Sequence, residues 1–325
     1  MKVRIASIQY QLRHIEDWDG FARQVDFVLN AAADYYPQFV LLPELFTTQL
    51  LSFADNDDVP SAVRGLSEYT TPYIELLRAC RASWLLPDRR HPPEHPRRAT
   101  AQHRLPVHTG RCRASSGQDS PHTLEKEKWN SDHGDVLNVF QTSHGRIAIL
   151  ICYDIEFPEL ARRAAEEGAE IVFVPSCTDD RQGFLRVRYC CHARAIENQI
   201  YVAMTSTVGN LPVAGLRLHY GQASIITPSD FHFARDGIAA EGVINEEQIV
   251  VADVDLALPT KPAQGDDDSV ARQAPRVLQQ SACHRRRRLI PGTSTKRRHP
   301  FRSERSLTRE PLNRQSPLLA RHSPD

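Results

Sequence analysis

Apolar residues recur along this chain with two periods, and each period predicts its own kind of element. Val3-Arg4-Ile5-Ala6-Ser7-Ile8 reads as a strand, and Phe39-Val40-Leu41-Leu42 as a short buried one. Between them Phe21, Val25, Val28, Leu29 and Ala32 share one face of a helix from Trp18 to Tyr35, and that face must pack on a sheet. A second helix is expected near Ser67–Arg78. From 136 to 204 the pattern alternates. Strand Leu137–Phe140 leads through a turn at Ser143-His144-Gly145 to strand Ile147–Cys152, then a helix, strand Ile171–Val174, a longer helix through Arg194, and strand Tyr201–Met204. Ala223–Ile226 and Gln248–Val254 add two more strands. Strands separated by helices imply an α/β protein built on layered, buried sheet.

Two stretches break the pattern. From Arg81 to Thr123 there is no Ile, Phe, Tyr or Met, and from Pro259 onward a single Ile and a single Phe stand among clustered arginines such as Arg285 to Arg288. Neither composition can build a core strand, so both segments are expected to be loosely ordered. The whole chain is formally neutral. However, residues 259–325 carry 15 Lys and Arg against 6 Asp and Glu, and residues 81–113 carry 8 against 2, which leaves the patterned body acidic. A basic arm of this kind can bind nucleic-acid phosphates. The competing reading is translation out of frame across real strands and helices, favoured by the abrupt return of pattern at Trp129. The expected organisation is a folded body over 1–258, interrupted at about 81–123, followed by a basic tail over 259–325.

Length and composition add bounds. A chain of 325 residues with 41% hydrophobic content can bury a large core. No apolar run approaches the ~20 residues of a membrane-spanning helix, and Met1 leads straight into the first strand without a secretory leader. A cytoplasmic protein that does not engage membrane is therefore expected. Seven irregularly spaced cysteines read as free thiols, not as a disulfide framework.

One of those thiols sits in a distinctive place. An apolar strand ends at Cys152, and a helix begins a few residues later, with Pro158 suited to its first turn and Gly168 to its stop. There the amides of the following turn can bind a developing oxyanion, although an inert buried cysteine would read the same way. A second motif, Leu42-Pro43-Glu44-Leu45-Phe46, puts a carboxylate just past a buried strand, in apolar surroundings that suit a general base. On its own it reads equally as a strand-end surface glutamate.

Together these motifs resemble the carbon–nitrogen hydrolase (nitrilase) superfamily, which pairs a strand-end Pro-Glu with a Cys-Tyr-Asp…Phe-Pro-Glu segment. Both stand here, at Pro43-Glu44 and at Cys152 to Glu159. Val174-Pro175-Ser176-Cys177, Arg188-Tyr189, Ala193-Arg194-Ala195-Ile196-Glu197-Asn198-Gln199 and Val208-Gly209-Asn210 extend the likeness, which covers about 1–78 and 124–257. The resemblance implies a four-layer α-β-β-α sandwich that pairs as a homodimer and needs no cofactor or metal. It also implies hydrolysis of a small amide or N-carbamoyl amine through a cysteine thioester. Cys152-Tyr153-Asp154 is similar to the amidase-type branch.

The same resemblance implies roles: Cys152 as nucleophile, Glu44 as general base, and the Tyr153 amide as an oxyanion donor. Glu125 matches the family's second glutamate. Alignment puts Ser120 where the family carries its oxyanion-stabilising lysine, and the nearby Lys126 and Lys128 follow Glu125 instead. Lys126 is the tentative substitute, with a solvated surface charge as its plainer reading. A catalytically inactive scaffold, or a binding protein using the Arg-rich tail, is the alternative. Cys190-Cys191-His192 lacks zinc-ligand spacing and reads as helix packing. His144 and His192 are other bases in principle, and Asp179-Asp180-Arg181 reads either as a pocket wall or as a polar loop.

Overall fold

Strands of this protein carry apolar side chains on both faces, and the parity of each strand decides which layer they fill. The computed structural model describes residues 1–53, 59–85, 137–213 and 218–259. Within them the order is β1 (Lys2–Leu12), α1 (Trp18–Ala33), β2 (Phe39–Leu41), a 3-10 turn (Phe46–Phe53), α2 (Val59–Gly65), a 3-10 turn (Leu66–Tyr69) and α3 (Thr70–Leu85). It continues with β3 (Val139–Thr142), β4 (Gly145–Ile149), a 3-10 turn (Cys152–Glu156), α4 (Pro158–Glu166), β5 (Ile171–Ser176), α5 (Arg181–Asn198) and β6 (Tyr201–Asn210). The last strands are β7 (Leu218–His219), β8 (Ser224–Ile226), β9 (Ile238–Glu241) and β10 (Gln248–Asp255).

The α/β class expected from the pattern is the one observed. In β1, Val3 and Ile5 meet residues of β2, β4, β5, β6, β8 and β10 in one apolar cluster. The alternate residues Ala6, Ile8, Tyr10 and Leu12 meet α1 and α3 in another. In β5 and β6 the same parity sends Phe173 and Ala203 to the strand–strand cluster, and Val174 and Met204 to a third cluster under α4 and α5. Reading across the clusters gives helices, strands, strands, helices. Phe39 of β2 and Phe173 of β5 touch across the middle, with ring centroids 5.3 Å apart. Each large side chain so buried stabilises the fold by about 1.5–3 kcal/mol relative to its exposed state.

Strand β1 joins the two halves. Its first residues pair antiparallel with β10 and parallel with β2, while Tyr10, Gln11 and Leu12 pair parallel with Thr207, Val208 and Gly209 of β6. At that seam Gly209 has φ +90°, and a Cβ there would lie 2.7 Å from the Leu12 carbonyl oxygen, so a side chain would push the two strands apart. The parallel run β4–β5–β6 brings three strand C-termini to one edge.

Several boundaries differ from the sequence reading. Strand β4 stops at Ile149 rather than Cys152, because the chain turns sharply there. Helix α3 runs to Leu85, past the Arg81 boundary of the unpatterned stretch, so its opening residues are helical. The remainder of that stretch, from 86, and the tail from 260 lie outside the described residues, together with Ser120, Glu125, Lys126 and Lys128. No described helix is long and apolar enough to cross a membrane.

Candidate active site

Glu44 follows β2 by three residues, in a turn with a buried Pro43 and with Leu45 in left-handed backbone at φ 56°. The Leu45 carbonyl accepts from the Thr48 amide at 2.9 Å and from the Thr48 hydroxyl at 2.6 Å, which closes the turn into the following 3-10 segment. Buried Phe46, Leu50 and Leu51 then anchor it to the core.

Cys152 opens a 3-10 turn of its own, with φ 45°. That conformation is costly for a residue with a Cβ. Two polar ties hold the turn. The Asp154 carboxylate accepts from the Ile151 amide at 2.9 Å, while the Asp154 amide donates to the Ile151 carbonyl. From α5, the buried Arg194 donates to the Ile155 carbonyl at 3.2 Å and to the Glu156 carbonyl at 2.8 Å. Arg194 also pairs with Glu197 at 3.4 Å. Cys152 and Arg194 are thus linked through the backbone of a single turn.

The Glu44 and Cys152 turns meet. The Cys152 thiol lies 3.7 Å from the Cys177 carbonyl oxygen and within hydrogen-bonding reach of the Glu44 carboxylate. Burial pushes the thiol well above its ordinary range, and the nearby Glu44 charge pushes it further. The resting state is therefore a neutral thiol beside a carboxylate. Tyr153 follows in the same turn and stacks edge-on against Phe157, centroids 5.0 Å apart.

The other candidates separate from this site. His144 stands at the start of β4, the end opposite Cys152, against Phe39. His192 on α5 is held neutral by burial and by Arg188, and neither histidine is among the groups acting on the Cys152 thiol. Cys191 is buried in the cluster beneath α5 and Cys190 packs against it. Asp180 caps α5 by accepting from the Gly183 amide at 2.6 Å. No group of three or more His, Cys, Asp or Glu able to hold a metal occurs among the described residues.

Sequence reasoning missed one cluster beside the thiol. Cys177 Sγ lies 3.4 Å from Nδ1 of the buried His219, which also lies 3.3 Å from Thr207 Oγ1. Gly221 permits this: a Cβ there would lie 2.2 Å from that of Ser206, so only glycine lets the His219 segment lie this close to β6. Thr178 and Tyr220 then exchange backbone and side-chain bonds that fix the segment over the end of β5. The only sequence signal was Cys177 itself, just beyond a strand parallel to the one before Cys152.

Comparison with known proteins gives this geometry a family. Residues 101–261 match the carbon–nitrogen hydrolase family, so the match begins inside the unpatterned stretch. A probable hydrolase, YhcX of Bacillus subtilis, is 43% identical over 267 residues, which are 81% of this chain and 52% of that protein. The omega-amidase NIT2 of Xenopus tropicalis is 30% identical over 123 residues, 38% of this chain and 41% of that protein. The chain thus spans about half the length of these relatives or less. In structure it is similar to the NitN amidase of Nesterenkonia sp. AN1, at a TM-score of 0.57 and 21% identity over 86% of this chain and 99% of that one. It is also similar to Nit3 of Saccharomyces cerevisiae, at a TM-score of 0.55 and 20% identity over 82% and 96%. With the Pro-Glu and Cys-Tyr-Asp turns meeting in a fold similar to these proteins, residues 101–261 form a carbon–nitrogen hydrolase domain.

Proposed function

We propose that this chain hydrolyses the carbon–nitrogen bond of a small amide or N-carbamoyl amine, with Cys152 as nucleophile and Glu44 as general base. The observation that carries the reading is the thiol of Cys152 within hydrogen-bonding reach of Glu44, across 108 positions of sequence (152 − 44). Because the thiol is neutral at rest, the proton passes to Glu44 as sulfur attacks the carbonyl carbon. Glu44 then hands that proton to the departing nitrogen, which leaves as ammonia or an amine, and a thioester remains. Water activated by Glu44 cleaves the thioester and restores the thiol. Amides at the start of a helical turn face whatever approaches its N-terminus, and Tyr153 supplies the one nearest the reacting carbon. The name omega-amidase attached to NIT2 supports an amide substrate.

Glu125 and Lys126 complete the assignment, with Lys126 as oxyanion partner and Ser120 at the family's lysine position. Loss of one oxyanion donor typically costs ~10²–10³ in turnover, so Ser120→Lys is expected to raise kcat by roughly that factor. Cys152→Ala is expected to abolish ammonia release from small linear amides, and hydroxylamine should trap an acyl group on Cys152 in the unaltered chain. Ammonia release that persists in Cys152→Ala sinks the reading. The alternative, an inactive scaffold, rests on Ser120 and is favoured if only Ser120→Lys turns over.

A further inference from the structure

The proposed hydrolysis assigns no chemistry to the Cys177 thiol, although its residue touches Cys152. Strands β4 and β5 pair in parallel with Ile147 opposite Ile171 and Ile149 opposite Phe173. Beyond the strand ends the two segments remain in contact, with Cys152 Sγ 3.7 Å from the Cys177 carbonyl oxygen, and a disulfide between them needs their Cα atoms within roughly 4.4–6.8 Å. As residues Cys152 and Cys177 are half-buried, like Cys190, whereas Cys80 and Cys191 are buried. Finally, the His219 ring nitrogen 3.4 Å from Cys177 Sγ is placed to accept that thiol's proton, the arrangement that turns a bystander thiol into a nucleophile.

We propose that Cys177 is a resolving thiol: when a hydroperoxide oxidises Cys152, Cys177 closes a reversible Cys152–Cys177 disulfide that switches the site off and protects the nucleophile. In the first step Cys152 sulfur attacks the terminal peroxide oxygen and the O–O bond breaks. The alcohol, or water from hydrogen peroxide, leaves with the thiol's proton, and Cys152 becomes a sulfenic acid. In the second step Cys177 sulfur attacks Cys152 sulfur and the S–O bond breaks. Hydroxide departs as water with the Cys177 proton, relayed through Nδ1 of His219. Two thiols lose two electrons and two protons, and the peroxide gains them. A dithiol reverses the bond. The inference needs Cys152 to be a reactive thiol, as the hydrolytic reading does, but not any particular substrate.

The test is peptide mass spectrometry of the full chain after stoichiometric hydrogen peroxide, blocking with N-ethylmaleimide and tryptic digestion without reductant. The expected product joins the peptide from Ile147 to Arg162 with that from Ala164 to Arg181, about 2 Da below their summed mass, and dithiothreitol separates them. In Cys177→Ser the same treatment should carry Cys152 on to sulfinic acid, with dithiothreitol-recoverable Cys152 lowered roughly tenfold. His219→Gln should slow linkage and let dimedone trap the sulfenic acid. Sulfinic Cys152 without linkage in the unaltered chain, or equal recovery in Cys177→Ser, overturns the proposal. Alkylation of Cys152 by iodoacetamide without linkage overturns this inference alone, while a Cys152 inert to both reagents overturns the hydrolytic reading with it.

Discussion

Glu44 and Cys152 each stand just past the end of a strand in parallel pairing, in turns that each contain one residue in left-handed backbone, yet the two turns are held by different forces. The Glu44 turn has Pro43, Phe46, Leu50 and Leu51 buried around it and is closed by bonds made within it, from Thr48 to the Leu45 carbonyl. The Cys152 turn is set by directional bonds, from Asp154 within the turn and from Arg194 on α5. Apolar packing is tolerant, because volume-conserving changes usually cost little. Directional bonds in a dry interior are not, because losing one partner leaves a buried carbonyl without its donor. The base therefore sits in the forgiving turn and the nucleophile in the exacting one.

The sharpest way to break the pair is Glu44→Gln. Amide turnover should fall by ~10²–10⁴, the usual worth of a positioned general base. The Glu44 charge opposes ionisation of the thiol, so removing it lowers the Cys152 pKa, and the pH midpoint of iodoacetamide alkylation should move down. Easier ionisation with slower turnover is the signature of a base acting in the transition state. If turnover and alkylation both rise, the carboxylate is not the base.

Next in size is Arg194→Met, which withdraws the donors to Ile155 and Glu156. It should cost about 2–4 kcal/mol in urea unfolding. In the folded fraction kcat should fall while KM stays near its starting value, since the turn rather than the substrate is displaced. Arg194→Lys keeps the charge but not the fork, and should recover only part of either loss. Equal stability in Arg194→Met would show the turn to be held by something else.

The smallest effect belongs to the apolar turn. Leu45→Gly relieves the φ 56° backbone but gives up a partly buried side chain packed near Leu51, Leu211 and Val213. The two contributions oppose one another, so the melting free energy should change by less than about 1 kcal/mol, with activity nearly intact. Leu45→Val adds β-branching at positive φ and should be the worse of the two.

Much of the fold was legible because parity and helical period are written residue by residue: the five α1 positions chosen from spacing are the five it buries. The approach of Glu44 to Cys152 was reachable only through motif resemblance, since no local pattern encodes a contact over such a separation. Other features left no trace at all. Left-handed backbone at Cys152 is unusual for its residue type, and it shortened β4 by ending it at Ile149. The partners of Arg194 are main-chain carbonyls, which carry no side-chain signature. The continuation of β6 to Asn210 depends on its pairing with β1, distant in sequence. His219 was overlooked for the same reason, because glycine at 221 matters only once Ser206 is beside it.

Strand β1 bears on how the protein is made. One of its edges takes up β2 early, but the other waits for β10, whose last residue is Asp255. At synthesis rates of about 5–20 residues per second, that edge stays open on the ribosome for roughly 10–50 s after β1 emerges. An open edge with Ile5 and Ile8 along it is a template for pairing with other nascent chains. Shortening the chain ahead of residue 248 would make that exposure permanent, turning a delay in assembly into a route to aggregation.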